Sequence, residues 1–522
     1  MTINGKSVEA PQGATVLEAA RACGLEIPTM CFREGCRPFS SCMVCVVKDV
    51  KRDLLIPACT APALENMVVE TDTGEVRDAR RTALELLVSE HVGDCEGPCH
   101  RICPAHMNIP LMIRQIAAGR LDDAIATVKR DIALPAVLGR ICPAPCEKGC
   151  RRAVHDSPVS ICLLKRFAAD ADLARTDGYT PEIAPATGRK AAIIGAGPAG
   201  LAAAWHLVQA GVSSTVFDRG GQPGGALRTG PGRERLPHAV IDAEVDLIRA
   251  LGVEFRMETE VGADISFSEI RSGFDAVVVA TGEIEEGEEE VFGLPVSRRG
   301  LETARPALAT TCPGVFAAGA VVAPTRMAVR ALADGKSAAL SVRQFLAGEP
   351  VTGEVLPFNS RIDRLGEGEM EEFMKGASGT GRVEPASPGS GFTAREAVRE
   401  ARRCLHCDCR KIDSCLLRRW AQNYGVNRDR YRGETRGAFE RVTEHPFVIY
   451  EPGKCIRCGL CVQITGRAAE PLGLTFIGRG FNVRIGAPLG APLEEALKET
   501  ARDCVEACPT GALAFKDERR PA

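Results

Sequence analysis

Twenty-three cysteines in a chain of 522 residues set the chemistry this sequence can do. They come in four groups separated by long gaps. The first holds Cys23, Cys31, Cys36, Cys42, Cys45 and Cys59; the second holds Cys95, Cys99, Cys103, Cys142, Cys146, Cys150 and Cys162. Only Cys312 lies between residues 163 and 403. Then come Cys404, Cys407, Cys409 and Cys415, and finally Cys455, Cys458, Cys461, Cys504 and Cys508. The count is odd and too dilute for a disulfide scaffold, and the opening MTINGKSVEAPQGATV has no apolar signal core. Tight groups in such a chain are expected to ligate metal, because soft thiolates select zinc or iron–sulfur clusters.

Spacing separates the groups by the site each can build. Cys31-x10-Cys42-x2-Cys45-x13-Cys59 is one close pair flanked by two distant cysteines, which suits a loop folded around a [2Fe–2S] rhomb. Zinc, which more usually takes two close pairs, stays as the alternative. Cys23 and Cys36 fall outside the pattern, and Cys23 is expected to pack inside as an apolar helix residue. In the second group His91, Cys95, Cys99 and Cys103 recur every four residues, as do Cys142, Cys146 and Cys150. Such spacing puts side chains on one helix face or tight loop, so the two triplets can share clusters. Cys404-x2-Cys407-x-Cys409-x5-Cys415 is compact enough for one [4Fe–4S] cluster, with zinc as its rival. Cys455-x2-Cys458-x2-Cys461 with the distant Cys508-Pro509 resembles half of a bacterial ferredoxin, where such a set shares one cluster. Thr465, Lys498 and Ala501 stand where a second cluster would need cysteines, which leaves Cys504 as a remnant.

The cysteine-poor middle carries a different signal. KAAIIGAGPAGLAAAWHLVQAGVSSTVFD reads as strand, glycine turn, helix and strand, with Gly195, Gly197, Pro198 and Gly200 in the turn. Gly-x-Gly-x-x-Gly permits a tight turn, approach of the backbone to a pyrophosphate and close helix–strand packing. Asp218 ends the second strand, where a carboxylate would bond a ribose hydroxyl. Gln222, Gly225 and Arg228 in GGQPGGALRTG, Thr281 and Gly282 in VVVATGE, and Gly319 in CPGVFAAGA complete the candidate nucleotide site. Only residues 283–313 separate Gly282 from Gly314. One βαβ unit needs about 30 residues and a nucleotide site needs more than one unit, so no second nucleotide domain is expected there.

These groups must be positioned by several domains. The expected fold class is multidomain α/β and α+β. A β-grasp-like [2Fe–2S] domain spans 1–75, a helical two-cluster domain 76–185, and a Rossmann-type nucleotide-binding domain 186–350. A linker follows at 351–392, its Gly, Ser and Pro content highest in GASGTGRVEPASPGSG. Thr393 and Glu396 then form a capping box that opens a helical [4Fe–4S] segment, 393–445. A ferredoxin-like [4Fe–4S] domain spans 446–522. Net charge is −3, and no apolar run reaches the roughly 18 residues of a membrane span, so neither nucleic acid nor a bilayer is an expected partner. No Ser–His–Asp set, paired-carboxylate motif or Walker loop is present, and no catalytic side chain is assigned.

Several stretches resemble known families. GLEIPTMC, SSCMVCVV and LIPACTAPA resemble the [2Fe–2S] domain of NADH dehydrogenase and NAD-linked formate dehydrogenase iron–sulfur subunits. NIPLMIRQI, LPAVLGRICPAPCEKGC and PVSICLLKRF resemble the two-cluster domain of the glutamate synthase small subunit and dihydropyrimidine dehydrogenase. That resemblance implies one [4Fe–4S] cluster on Cys95, Cys99 and Cys150 and another on Cys103, Cys142 and Cys146. The family's first cysteine position is His91 here, and its Gln or Glu position is Lys165, whose ammonium has no lone pair to donate. Cys162, one helical turn before Lys165 on the same face, is expected to be a ligand, with an ordinary buried cysteine as the alternative. His91 stays a candidate, since its His-x3-Cys opening is similar to a His-ligated cluster of the NADH dehydrogenase large subunit. EPGKCIRCGLC and FIGRGFNVRIGAPLGAPL resemble the ferredoxin-like region of the same dehydrogenase subunits, and the 404–415 motif resembles C-terminal extensions of related flavoproteins.

The centre resembles the FAD half of glutamate synthase small-subunit flavoproteins, which implies FAD rather than NAD at Gly195. Two departures stand out: Ala320 replaces the family's Asp, and the NADPH domain between the ATG and GVFAAG motifs is missing. The cofactors implied are FAD, one [2Fe–2S] and about four [4Fe–4S] clusters. The function expected is a cytoplasmic electron-transfer subunit of a soluble oxidoreductase complex. Its partners would be an NADH dehydrogenase-like flavoprotein subunit and a catalytic redox subunit or ferredoxin. One alternative is a self-sufficient NAD(P)H-dependent oxidoreductase like the glutamate synthase small subunit. The other is a structural scaffold with a vestigial flavin site.

Overall fold

The computed structural model describes residues 1–284, 288–387 and 389–516. The chain divides into two compact units. One comprises Met1–Gly97, Pro357–Ala377 and the residues from Leu405 onward; the other comprises Pro98–Leu356 and Ser378–Cys404.

In the first unit, a five-stranded sheet runs in the order Lys6–Ser7, Thr2–Ile3, Val68–Glu70, Val46–Asp49, Leu54–Pro57. Thr2–Ile3 and Val68–Glu70 pair in parallel and the other neighbours antiparallel. The helix Val16–Ala22 starts at a capping box of Thr15 and Glu18 and packs Val16, Leu17, Ala19 and Ala20 into a core with Ile3, Val47 and Val69. Cys23, expected inside, is exposed: it caps this helix after its last buried turn, just before Gly24 turns the chain with a positive φ. Farther along the chain, Val448–Tyr450 pairs antiparallel with Leu513–Phe515, and the helices Leu460–Arg467 and Ala501–Ala507 share their core.

The reading of 351–392 as a linker is corrected. Residues 357–377 belong to the first unit and carry the helix Glu369–Met374. Phe373 is fully buried and stacks on Phe439 with ring centroids 4.0 Å apart. Arg436 grips the Glu369 carboxylate and holds it down at about 2. Val383 is buried in the second unit, while residue 388 lies outside the described residues. Composition masked these few large apolar anchors.

The second unit joins a helical layer to a parallel sheet. The helices Ile109–Ala117, Leu121–Lys129, Pro135–Ile141 and Ile161–Leu173 form the first part. The sheet runs in the order Val315–Ala317, Ala276–Val279, Lys190–Ile194, Ser213–Phe217, Glu254–Arg256, all parallel. Its central strands read as continuous apolar runs because the helices Pro198–Gln209 and Ala328–Leu346 pack on the sheet. A buried ion pair, Lys129–Asp172 at 2.8 Å, and the Trp205 indole donating to the Lys129 carbonyl tie the helices to the sheet. Between Gly282 and Gly314 the described residues form a short helix, Glu288–Phe292, and a hairpin of Val296–Ser297 with Gly300–Leu301. Residues 285–287 of this stretch lie outside the described residues.

Candidate iron–sulfur and nucleotide sites

Cys31, Cys42, Cys45 and Cys59 converge in the first unit, each at most 4% exposed. The sulfurs of Cys31 and Cys42 are 3.4 Å apart, and the Ser40 hydroxyl lies 3.5 Å from the Cys59 sulfur. The thiols of Cys42 and Cys59 pull Cys31 down to about 2, while Cys42 and Cys59 are pushed up. A cluster entering here would displace the protons these thiols share.

A second site in the same unit brings together Cys455, Cys458, Cys461 and Cys508 around one pocket. Gly459, at a positive φ, turns the loop into the helix Leu460–Arg467, which carries Cys461. Cys508 caps the helix Ala501–Ala507, and Pro509, Thr510 and Ala512 close the wall. The remaining lining is apolar except for Tyr450, whose hydroxyl donates to the Ile485 carbonyl at 2.6 Å. The Arg457 N–H points at the Cys455 sulfur, 3.4 Å away, and burial pushes the Cys455 thiol up to about 11. Cys504 is fully buried beside this site, its sulfur 3.8 Å from the Cys461 carbonyl.

In the second unit Cys103, Cys142, Cys146, Cys162 and Lys165 line one pocket with Met107, Ile109, Ile132 and Val329. Cys162 and Lys165 share one face of the helix Ile161–Leu173, and Ala144 at a positive φ bends the chain so that Cys142 and Cys146 face them. The Cys162 thiol draws Cys142 down to about 6. Burial opposes the charge of Lys165, but the surrounding thiolates outweigh burial and hold its pKa above the usual lysine value. These are the four cysteines expected for one cluster, with an ammonium set among them.

The other cysteines are distributed differently. Cys99, Cys150 and Cys404 border the apolar core of the second unit. The division between units falls between Gly97 and Pro98 and between Cys404 and Leu405, so Cys95, Cys407, Cys409 and Cys415 belong to the first. There Cys95, Cys409 and Cys415 are buried, and the Cys409 amide donates to the Cys95 carbonyl at 3.0 Å. His91 belongs to the same unit. Burial, with the Lys454 cation nearby, lowers its pKa to about 4, so the ring is neutral at pH 7.

The nucleotide motifs meet at the carboxyl ends of the parallel strands, the edge where such sheets bind ligands. A Cβ at Gly200 would collide with the Gly195 carbonyl oxygen, whereas one at Gly197 would meet only open space. Gly197 precedes the helix Pro198–Gln209 without a side-chain cap, so the first amides of that helix are free to meet an anion. Asp218 accepts from the amides of Ala196 at 2.6 Å and Gly220 at 2.7 Å, bracing the turn. Gly224 donates to the Ala196 carbonyl, which brings Gly225 beside Gly197. Arg228 binds Pro223 and Asp242, and Gln222 lies in the same loop. The Thr281 hydroxyl, next to Gly282, is buried with no hydrogen-bond partner among the described residues. Gly319 follows Val315–Ala317 and packs on Ala199. An open glycine cradle and an orphaned hydroxyl fit a dinucleotide. One residue escaped the sequence reading: Asp334, on the helix Ala328–Leu346, lies near the Gly319 backbone beside Ala320, the position where the resembled family carries an acid.

Comparison with known proteins agrees with this division of labour. Residues 1–74 match a 2Fe-2S iron–sulfur cluster binding domain, 77–177 the 4Fe-4S domain II of dihydropyrimidine dehydrogenase, and 193–250 an NAD(P)-binding Rossmann-like domain. The chain is 37% identical over 237 residues to the NADP(+)-dependent formate dehydrogenase subunit beta of Moorella thermoacetica, covering 41% of this chain and 33% of that one. It is 39% identical over 192 residues to the glutamate synthase [NADPH] small chain of Mycobacterium tuberculosis, covering 36% and 39% respectively. It thus spans about a third of each relative's length. The crystal structure of an NAD+-reducing [NiFe]-hydrogenase aligns over all of this chain and 88% of its own, with a TM-score of 0.36 and 12% identity. The chain therefore carries a [2Fe–2S] domain, a [4Fe–4S] domain and a Rossmann-like domain. Among the described residues, no helix is long and apolar enough to cross a membrane.

Proposed function

We propose that this chain is the electron-transfer subunit of a cytoplasmic, multi-subunit oxidoreductase. It would stand between an NADH-oxidising flavoprotein subunit and a catalytic redox subunit or ferredoxin. The observation that carries this reading lies within the first unit: Cys31 and Cys42 of the [2Fe–2S] site, Cys458 of the ferredoxin-like site and Cys415 share one apolar cluster with Leu84, Trp420 and Leu460. Redox centres held in continuous dry packing suit relay rather than stapling. Bound in these sites, clusters would supply one-electron chemistry and FAD two-electron chemistry.

The residues' own part is to hold and tune. The converging thiol sets ligate, the apolar walls exclude water, and the Arg457 amide and Tyr450 hydroxyl fix the loop around the ferredoxin-like site. FAD is favoured over a nicotinamide nucleotide by the resemblance of these motifs to the FAD half of glutamate synthase small-subunit flavoproteins; the ends of four parallel strands contribute to the site, at Gly195, Asp218, Thr281 and Gly319. The short helix and hairpin found between Gly282 and Gly314 leave no second Rossmann unit in the described part of that stretch. A self-sufficient NAD(P)H-dependent enzyme is the second reading, favoured by the NAD(P)-binding model over 193–250. Anaerobic titration with dithionite, NADH and NADPH separates them. Reduction by dithionite alone supports a partner-fed subunit; rapid reduction by either nucleotide supports the second reading.

A further inference from the structure

Cysteine spacing and family resemblance group Cys95 with Cys99 and Cys150, and Cys409 and Cys415 with Cys404 and Cys407. The packing of the first unit pairs them otherwise. The Cys409 amide is bonded to the Cys95 carbonyl, and the Leu416 amide, just after Cys415, donates to the Pro509 carbonyl at 2.9 Å. Charge on Cys409 or Cys415 would bear on the Cys95 thiol, and charge on Cys409 on that of Cys415. All three are less than a tenth exposed. The Cys95 sulfur already accepts the Ser360 amide at 3.3 Å, the kind of bond that steadies a cluster thiolate. Gly511 leaves room for the Cys409 sulfur, which any side chain there would displace. Lys454, buried and ion-paired with Glu451, passes beside Gly511, where the Cys409 sulfur sits, and packs on Gly93, two residues after His91. The His91 Nδ1 is buried and makes no hydrogen bond among the described residues, although a buried imidazole nitrogen ordinarily has a partner.

We propose that Cys95, Cys409 and Cys415, with His91 as the fourth donor, hold one [4Fe–4S] cluster within the first unit. Three thiolates and one imidazole give each iron of the cube one protein ligand. The site is assembled from both ends of the chain. It rests on reading the chain as an iron–sulfur protein, which the total iron of the wild-type protein tests separately.

The test uses the full chain, anaerobically reconstituted with iron and sulfide, and compares Cys95→Ser, Cys409→Ser, the double variant and Cys99→Ser by iron analysis and EPR of the reduced state. Cys95→Ser and Cys409→Ser should abolish the same signal, each removing about four irons, and the double variant should remove no more. Cys99→Ser should abolish a different signal. Should Cys95→Ser and Cys409→Ser remove different signals, or the double variant remove about eight irons, the assignment is wrong. Where a serine variant does not fold, pulsed EPR of the wild type still decides: a strong nitrogen coupling that disappears in His91→Cys, with iron retained, is expected. No such coupling, or one unchanged in His91→Cys, overturns the histidine. So does loss of the signal in Cys407→Ser together with its retention in His91→Ala.

Discussion

Two four-cysteine cavities, one in each unit, are lined differently. Around Cys455, Cys458, Cys461 and Cys508 the wall is uncharged, with the Tyr450 and Thr510 hydroxyls turned away to backbone carbonyls. Around Cys103, Cys142, Cys146 and Cys162 the wall includes the ammonium of Lys165, itself only 5% exposed. The thiol count is the same, so the cation is the difference. A positive charge held in a poorly solvated site favours whichever cluster state carries more negative charge, the reduced one. The cavity with Lys165 should therefore accept electrons more readily than its neutral counterpart, and the contrast sets a direction without any change of ligand.

The largest effect that could break this comparison is loss of a cluster. Cys458→Ser and Cys146→Ser should each remove about four irons and a different EPR signal. If both erase the same signal, the two cavities are not separate sites. Next in size, Cys162→Ala should leave a three-iron cluster with its own EPR signal in the oxidised protein. An unchanged four-iron cluster would show that Cys162 is a bystander. Lys165→Met should then lower the potential of that cluster by on the order of 100 mV, taking a charge about 6 Å away at an effective dielectric near 20. Its counterpart at Cys455 should not move. An unaltered potential in the variant would remove the electrostatic contrast. The smallest effect is expected at Tyr450→Phe, which deletes one hydrogen bond and should cost about 1 kcal/mol of stability, read by thermal melting, without altering the iron content.

Much of this contrast could be read in the sequence, but not all. The spacing Cys455-x2-Cys458-x2-Cys461 describes one local loop, and the distant Cys508-Pro509 is tied to it by the resemblance to half of a bacterial ferredoxin. Cys162 and Lys165 were legible from local spacing, being one turn apart on a helix. Longer-range pairings were not. Nothing in the pattern around Cys95 points to Cys409, because the contact is made by backbone hydrogen bonds between segments far apart in the chain. Phe373 and Phe439 likewise stack from stretches that look polar in composition, which is why a packed segment read as a linker. Asp334 was hidden because it approaches Gly319 from a helix rather than from the motif itself. Cys23 misled for the opposite reason: an apolar helix pattern extends to it, but the helix ends there.

The relay account depends on electrons reaching the chain from a partner rather than from a nucleotide of its own. The measurement that tests it most directly is anaerobic addition of NADH and of NADPH to the purified, flavin- and cluster-loaded chain, following flavin absorbance and cluster EPR. The account predicts no reduction by either nucleotide and full reduction by dithionite. Rapid bleaching by NADH or NADPH would contradict it and place a nucleotide site within this chain.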